Sequence, residues 1–430
     1  MLSSFFIQNF RSILKLRLDF SFGEGKAPNG YKDFEVLPFL EAGNRQRLVP
    51  CMGFFGSNAA GKTNILKAIG TLKKLLSEDS DLDNLYEPNL LNPRFNETTF
   101  EAVFVIGSDT FTYRITYSNL GISEESLLKN GAPVFKIQQL SPQFSAAIRS
   151  STYTKEKLAD ILRVECTDGD GHHTRPFLNR IGRAYSGLHV DTRNAFGYFQ
   201  KCIQFFENNG SIPLPAAVDI LATAMDGDQT AALEEITDLV RRADIEISAI
   251  NISETELGPN DAPKHGDLLI KTIEKTGTRH SVSITATHKD VSENPVLLNF
   301  LKHESAGTQR LAGLIGLILY TLKRGGVFLV DELECSLHPL LMRELVLLFK
   351  KRRHNPHGAQ LIFTTHNTDI LDDSILRLSE IALVRKTLAN GTLVRRLVDA
   401  KKEGEDIRNV TNFRKQYLAG FYSGVPHPAL

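Results

Sequence analysis

Residues 48–78 read LVPCMGFF GSNAAGKT NILKAIGTLKKLLSE, and this stretch decides the fold. Its first eight residues are apolar and run into glycine, as a strand buried on both faces does. Its last fifteen place Ile65, Leu66, Ile69, Leu72, Leu75 and Leu76 at helical spacing. Between them Gly56, Ser57, Asn58, Ala59, Ala60, Gly61, Lys62 and Thr63 satisfy G-x-x-x-x-G-K-[ST], with Asn64 next in the helix. A glycine-rich turn from a strand into a helix N-terminus aims backbone N–H groups at an anion. Lys62 adds a cation for phosphate oxygens, and Thr63 offers a hydroxyl to Mg2+.

Such a loop needs an acidic partner at the end of a second parallel strand. Gly326-Val327-Phe328-Leu329-Val330-Asp331-Glu332 supplies one, with Asp331 expected to hold Mg2+ and Glu332 to polarise an attacking water. An acidic helix cap after a core strand is the competing reading. Lys62 and Asp331 lie 269 residues apart, farther than simple motor cores place the two motifs, so a large insertion separates them. An ABC-type head tolerates that insertion, and requires Ser-x-Gly-x-Gln at the start of a helix before the acidic strand. Ser305-Ala306-Gly307-Thr308-Gln309 stands 26 residues before Asp331, and His366, in the place of a polar switch residue, follows QLIFTT 35 residues after it.

These motifs resemble those of the ABC-type ATPases of the SMC and RecF kind. The likeness is nearer to the bacterial AAA ATPases of anti-phage systems, the group that includes the OLD-family head, RloA and the AriA subunit of PARIS. FFIQNFRSI, TTFEAVF, SAGTQRL, FLVDELECSLHPLL, FTTHNTDIL and YLAGFYSGVP carry the resemblance with the loop itself. It implies an α/β fold, an ABC-type P-loop ATPase head with a mixed β-sheet and a mostly helical insertion between P-loop and signature. It also implies ATP and Mg2+ as ligands, with Gly56 to Asn64, Ser305, Gly307 and Gln309 around the nucleotide, Thr63 and Asp331 at the metal, and Glu332 and His366 catalytic. Ser336 to Pro339 would form the D-loop, with His338 near nucleotide or the opposing subunit. The family's Q-loop glutamine has no counterpart in LLNPRFNETTF; Asn92 is the stand-in.

Three segments are expected: 1–145, the N-terminal part of the head; 146–245, the helical insertion; and 246–430, its C-terminal part. Phe5 and Ile7, then Leu14, Leu16, Leu18 and Phe20, alternate as two opening strands before a polar loop near 23–47. TTFEAVFVIG and TFTYRITYS read as a strand pair. In the insertion, AFGYFQKCIQFFENN reads as one amphipathic helix whose aromatics Phe196, Tyr198, Phe199, Phe205 and Phe206 fill a local core or offer a docking face. The last third alternates strand and helix, the mark of a parallel sheet.

Composition narrows the function. Hydrophobic residues at 42% and charged residues at 23% exclude wholesale disorder, and 50 basic against 50 acidic residues exclude a globally basic nucleic-acid coat. Four cysteines without a CxxC pair fit a cytoplasmic chain without disulfides or structural zinc. The longest apolar run, Leu311 to Leu322, has 12 residues, too few for a membrane span. Cys166, Asp168, Asp170, His172 and His173 could ligate a metal, though a solvated turn is the preferred reading. Lys350 to His354 touch nucleic-acid phosphate or simply complement a helix C-terminus. Arg11 reaches nucleotide or forms a surface ion pair.

The resemblance implies an ATPase whose heads dimerise around ATP and act as a sensor and switch for a separately encoded effector, a toxin or nuclease, in anti-phage defence. The 64 residues after His366 are too few for an appended nuclease domain. A RecF-like repair ATPase clamping DNA and a non-hydrolysing ATP-bound scaffold are the alternatives.

Overall fold

The computed structural model describes residues 1–22, 36–37, 39–43, 46–77, 81–146, 148–149, 152–185, 189–207, 212–243, 246–258, 260–264, 267–273, 278–335, 337–372, 374–402 and 413–419. The hairpin β1 (Leu2–Phe10) and β2 (Ile13–Asp19) precedes a short pair, β3 (Leu40–Ala42) and β4 (Gln46–Leu48), and then β5 (Cys51–Phe55). Helices α1 (Lys62–Ser77) and α2 (Leu82–Leu85) lead into a meander: β6 (Thr98–Ile106), β7 (Asp109–Ser118), β8 (Gly121–Lys129), β9 (Ala132–Gln138) and β10 (Ser141–Phe144). After α3 (Lys155–Glu165), α4 (Phe177–Ala184) and α5 (Val190–Gly197), a π-helical turn, Tyr198–Cys202, delivers the chain into β11 (Ile203–Phe206). Next come α6 (Leu214–Ala222), α7 (Gln229–Arg242), β12 (Ala249–Leu257), β13 (Leu268–Ile273), β14 (Thr278–Lys289), β15 (Pro295–Asn299), α8 (Phe300–His303) and α9 (Ala306–Arg324). The last third holds β16 (Val327–Val330), α10 (Pro339–Lys350), β17 (Gln360–Thr365), β18 (Ile381–Thr387), β19 (Gly391–Arg396), α11 (Leu397–Lys402) and α12 (Phe413–Leu418).

Two compact units result, one of residues 1–207, 325–334 and 342–430, the other of 208–324 and 335–341. This division cuts through the stretch 146–245, because its second half packs with the strands and helix that follow it.

The class is α/β, with one mixed sheet dominating the first unit. Its order is β10-β9-β8-β7-β6-β1-β2-β19-β18-β5-β17-β16-β11. Strands β18, β5, β17, β16 and β11 are parallel, and the rest pair antiparallel. CMGFF, VFLV and QLIFTT are buried along their whole length, as parallel strands covered on both faces must be. In β2, by contrast, buried Leu14, Leu16 and Leu18 alternate with exposed or partly exposed neighbours.

The stretch AFGYFQKCIQFFENN is not one helix. Helix and π-turn end at Cys202, and Ile203–Phe206 pairs in parallel with Val327–Val330 as an edge strand. An apolar run this short suits either state in isolation, and the ladder to β16 chooses the strand. The aromatics before it are core: Tyr198 stacks on Phe104 at 4.3 Å, and Phe199 meets Phe104 and Tyr113 edge-on.

In the second unit, α6 and α7 pack on α9, whose Leu311 to Leu322 stretch is almost wholly buried. The apolar run is thus a core helix. Strand β14 centres a small antiparallel sheet, with β12 on one edge and β13 and β15 sharing the other.

Candidate functional site

Strand order explains how distant motifs meet. β17 lies between β5 and β16, so the residues beyond the C-terminal ends of three adjacent parallel strands share one edge of the sheet. Phe363 pairs with both Gly53 and Val330, which sets Thr364 beside Asp331.

The loop after β5 is held from several sides. A Cβ at Gly56 would stand 2.3 Å from the Val384 carbonyl oxygen of β18, so only glycine fits there. Ala59 has φ +60° and Gly61 φ +100°, which wraps the loop ahead of α1. The Ala60 N–H donates to the Ser57 carbonyl at 3.3 Å, while Asn58 stands on the wall of the cleft. A directed chain of hydrogen bonds then ties the loop to the sheet. Asn64 Nδ2 donates to Ser12 Oγ at 2.7 Å, Ser12 Oγ lies 2.7 Å from Thr392 Oγ1, and Thr392 Oγ1 donates to the Ala60 carbonyl at 3.1 Å.

Lys62 folds back over this loop. Its Nζ donates to the carbonyls of Gly56 at 2.9 Å and Ser57 at 3.1 Å. Burial pulls its ammonium below the usual lysine range, while the carboxylates of Glu334, Glu332 and Asp331 oppose that fall. Thr63 Oγ1 lies 3.0 and 3.1 Å from the two oxygens of Asp331. Thr364 Oγ1 donates to Asp331 Oδ1 at 2.7 Å and accepts the Glu332 N–H at 2.8 Å. Glu332 takes φ +49°, an uncommon conformation for a non-glycine residue, in the turn that ends β16. The His366 N–H donates to Glu334 Oε1 at 2.6 Å. Burial lowers the affinity of the His366 ring for a proton, as does the Lys62 charge.

Together Asn58 to Asn64, Glu332, Thr364 and His366 line a cleft of about 450 Å³, with Ser12 and Lys386 completing it. The residues fit Mg2+: a hydroxyl and a carboxylate, both hard oxygen donors, converge at one end. Lys386, Ser12, Thr364 and Glu334 were not singled out from sequence. Only Glu334 carried a signal there, as a third carboxylate within four residues of Asp331.

Ser305 lies in the second unit, exposed at the N-terminus of the 19-residue α9, where its Oγ accepts the Thr308 N–H at 3.1 Å. Gly307 lies in the first turn of that helix. Gln309 turns inward, its Nε2 donating to the carbonyls of Leu301 at 3.1 Å and Glu304 at 3.0 Å. His338 is exposed and its Nδ1 accepts the Leu340 N–H at 3.3 Å; Ser336 and the YLAGFYSGVP ending beyond 419 lie outside the described residues, as does 23–35 of the polar loop.

Several weaker readings resolve differently. Asn92 does not line the cleft; its Nδ2 donates to the Ala389 carbonyl at 3.0 Å. Arg11 pairs with Glu87 at 3.7 Å. Asp168 Oδ1 accepts the N–H groups of Asp170 and His172 at 3.1 and 2.8 Å, which makes CTDGDGHH a closed turn with Cys166 and His173 facing the core. Among the described residues no group of three His, Cys, Asp or Glu is arranged to hold a metal. Lys350 is neither a phosphate contact nor a surface cap. It is fully buried, with Nζ 2.5 Å from Glu380 Oε2. No helix among the described residues is long and apolar enough to cross a membrane.

Residues 222–372, which include Ser305 to Gln309, Asp331, Glu332 and His366, match the AAA_21 family, described as "AAA domain, putative AbiEii toxin, Type IV TA system". The match is confined to this part of the chain and does not reach the loop 56–63. No curated protein matches the chain. Among solved structures the chain is similar to the SMC head domain from Thermotoga maritima, at 15% identity and TM-score 0.41 over 92% of this chain and 98% of that one. It is similar also to an SmcHead bound to the C-winged helix domain of ScpA, at 13% and 0.37 over 93% and 99%. A third is the Smc head domain with a coiled coil and joint derived from Pyrococcus yayanosii, at 10% and 0.40 over 94% and 99%.

Proposed function

We propose that the chain binds ATP with Mg2+ in this cleft, hydrolyses it slowly, and uses ATP-dependent pairing of two heads as a switch over a separately encoded effector in anti-phage defence. The observation that carries the reading is the meeting of Lys62, Thr63, Asp331, Glu332 and His366 at the ends of β5, β16 and β17. The loop amides and Lys62 take the phosphates, and Thr63 and Asp331 hold the cation, which when bound screens charge on the β- and γ-oxygens. Glu332 orients the attacking water and accepts its proton, while His366 faces the γ-phosphate end.

The exposed tip of α9, led by Ser305, is suited to the γ-phosphate held by a second copy of the chain. Hydrolysis then removes the bridge between the copies. A differential affinity of a few kcal/mol between paired and unpaired states suffices for such a switch. The description of the matching family names the AbiEii toxin and a type IV toxin–antitoxin system, and this supports the defence role.

Phosphate release and size-exclusion chromatography with ATP test the reading. Wild type should turn ATP over, and Glu332→Gln should lose turnover and accumulate as an ATP-dependent dimer. A Glu332→Gln protein that stays monomeric with ATP and hydrolyses it normally would refute the proposal. Salt-sensitive, ATP-dependent binding of plain duplex DNA by wild type would direct the function to DNA clamping instead.

A further inference from the structure

Glu334 has no part in the chemistry just described, yet it stands inside the same constellation. It lies in the turn after β16, and its two carboxylate oxygens are in different situations. Oε1 accepts the His366 N–H at 2.6 Å. Oε2 is shut away from solvent and meets no hydrogen-bond donor. A carboxylate oxygen in that state is costly unless its charge does something for the neighbouring groups. Those neighbours are Lys62 and His366: of the three carboxylates that favour a proton on each, Glu334 acts most strongly on both.

The loop bearing His366 depends on this bond. Beyond β17 the chain leaves the ladder, and the His366 N–H has no strand partner. Thr365 Oγ1 takes the Asn367 N–H at 2.9 Å, which shapes the next turn but does not join the loop to β16. Glu334 supplies that join across 32 residues of sequence.

We propose that Glu334 is a positioning residue with two separable actions: its Oε1 holds the His366 loop to the acidic end of β16, and the charge on its Oε2 opposes the entry of phosphate. The inference rests on the ATPase reading above. The hydrogen bond sets the reach of His366 toward the nucleotide and so governs turnover. The charge lowers affinity for every nucleotide anion.

Amide and alanine replacements separate the two. Glu334→Gln retains an acceptor oxygen for the His366 N–H but removes the charge; Glu334→Ala removes both. Binding of a fluorescent ATP analogue and single-turnover phosphate release are measured for both variants, wild type and His366→Ala, with thermal melts as a folding control. Loss of one nearby charge should tighten nucleotide binding by about 3- to 10-fold in both variants. Turnover should stay within about threefold of wild type in Glu334→Gln and fall by about tenfold or more, toward His366→Ala, in Glu334→Ala.

Wild-type turnover in Glu334→Ala would overturn the positioning role, and weaker nucleotide binding in Glu334→Gln would overturn the electrostatic one. Turnover lost in both variants and restored by excess Mg2+ would make Glu334 a cation ligand and overturn the proposal. Should Glu334→Ala not fold, the Glu334→Gln affinity and turnover decide alone. A wild-type protein that neither binds nor hydrolyses ATP overturns the underlying reading with it, whereas active wild type and inactive His366→Ala beside a normal Glu334→Ala overturns this inference alone.

Discussion

Thr364 Oγ1 donates to Asp331 Oδ1 at 2.7 Å, and the same oxygen accepts the Glu332 N–H at 2.8 Å. One buried hydroxyl on β17 therefore orients both acidic residues at the end of β16. Thr364→Val keeps the shape and removes both bonds; it should cost about 1–3 kcal/mol of stability and lower turnover about tenfold or more, while Thr364→Ser retains most of both. Urea midpoints and phosphate release check this. Equal turnover in the valine and serine variants would show that the hydroxyl is not needed.

Gly61 has φ +100°, and a Cβ on it would stand 2.1 Å from Thr392 Oγ1 and 2.8 Å from Ser12 Oγ. Gly61→Ala should strain the loop and push apart the Asn64, Ser12 and Thr392 chain, at a cost of about 1–3 kcal/mol. Nucleotide binding measured by calorimetry should be lost, with the β1–β2 hairpin still folded by circular dichroism. Unchanged affinity would place the phosphates away from this turn.

Lys386, exposed on β18, lines the cleft and pairs in register with Thr392. Lys386→Glu should weaken ATP binding about tenfold at low salt and flatten its salt dependence, since a cation facing the phosphates becomes an anion. Titrations at two ionic strengths read this directly.

Glu125 is fully buried, and burial pushes its carboxyl up to about 7 despite bonds from the N–H groups of Phe177 and Leu178 and from the Tyr113 hydroxyl. The folded state therefore holds a proton that the unfolded chain releases near 4.5. Stability from this group is present below pH 4.5 and is lost as pH rises through about 7, a change of about 3 kcal/mol. His173, 3.7 Å away and lowered to about 4 by burial, has the opposite slope between about 4 and 6.5, so the two nearly cancel there. Glu125→Gln should gain stability relative to wild type chiefly between pH 4.5 and about 7, because the His173 contribution is common to both proteins. Denaturation at a series of pH values checks it; a difference that stays flat across that window would contradict the protonated carboxyl.

Lys350 and Glu380 form a buried ion pair at 2.5 Å, and Lys350 also donates to the Ile375 carbonyl. Lys350→Met leaves a carboxylate without its partner and should cost about 3–5 kcal/mol, whereas Lys350→Met with Glu380→Leu should recover much of the loss. Equilibrium unfolding of the double-mutant cycle gives the coupling.

How the sequence can mislead is shown by this pair and by IQFF. Lys350 ends a helix and opens a run of cations, a pattern that reads as solvated, but Glu380 lies 30 positions away and only the packed sheet brings it there. IQFF continues an amphipathic aromatic run, and its strand state depends on β16, more than a hundred residues later. Both errors have one cause. Local periodicity reports which residues avoid water and carries no information about a distant partner.

Local chemistry sufficed for the α/β class, for the loop 56–63 between its strand and helix, and for the acidic end of VFLV, because glycine geometry, apolar runs and helix spacing act over a few residues. Strand order came from the tertiary structure alone. Placing β17 between β5 and β16 brings Thr364 and Glu334 to Asp331 and His366, while β18 and the β1–β2 turn, on the other side of β5, bring Lys386 and Ser12 to the loop. Backbone ladders between segments hundreds of residues apart decide such neighbours, and no spacing along the chain encodes them.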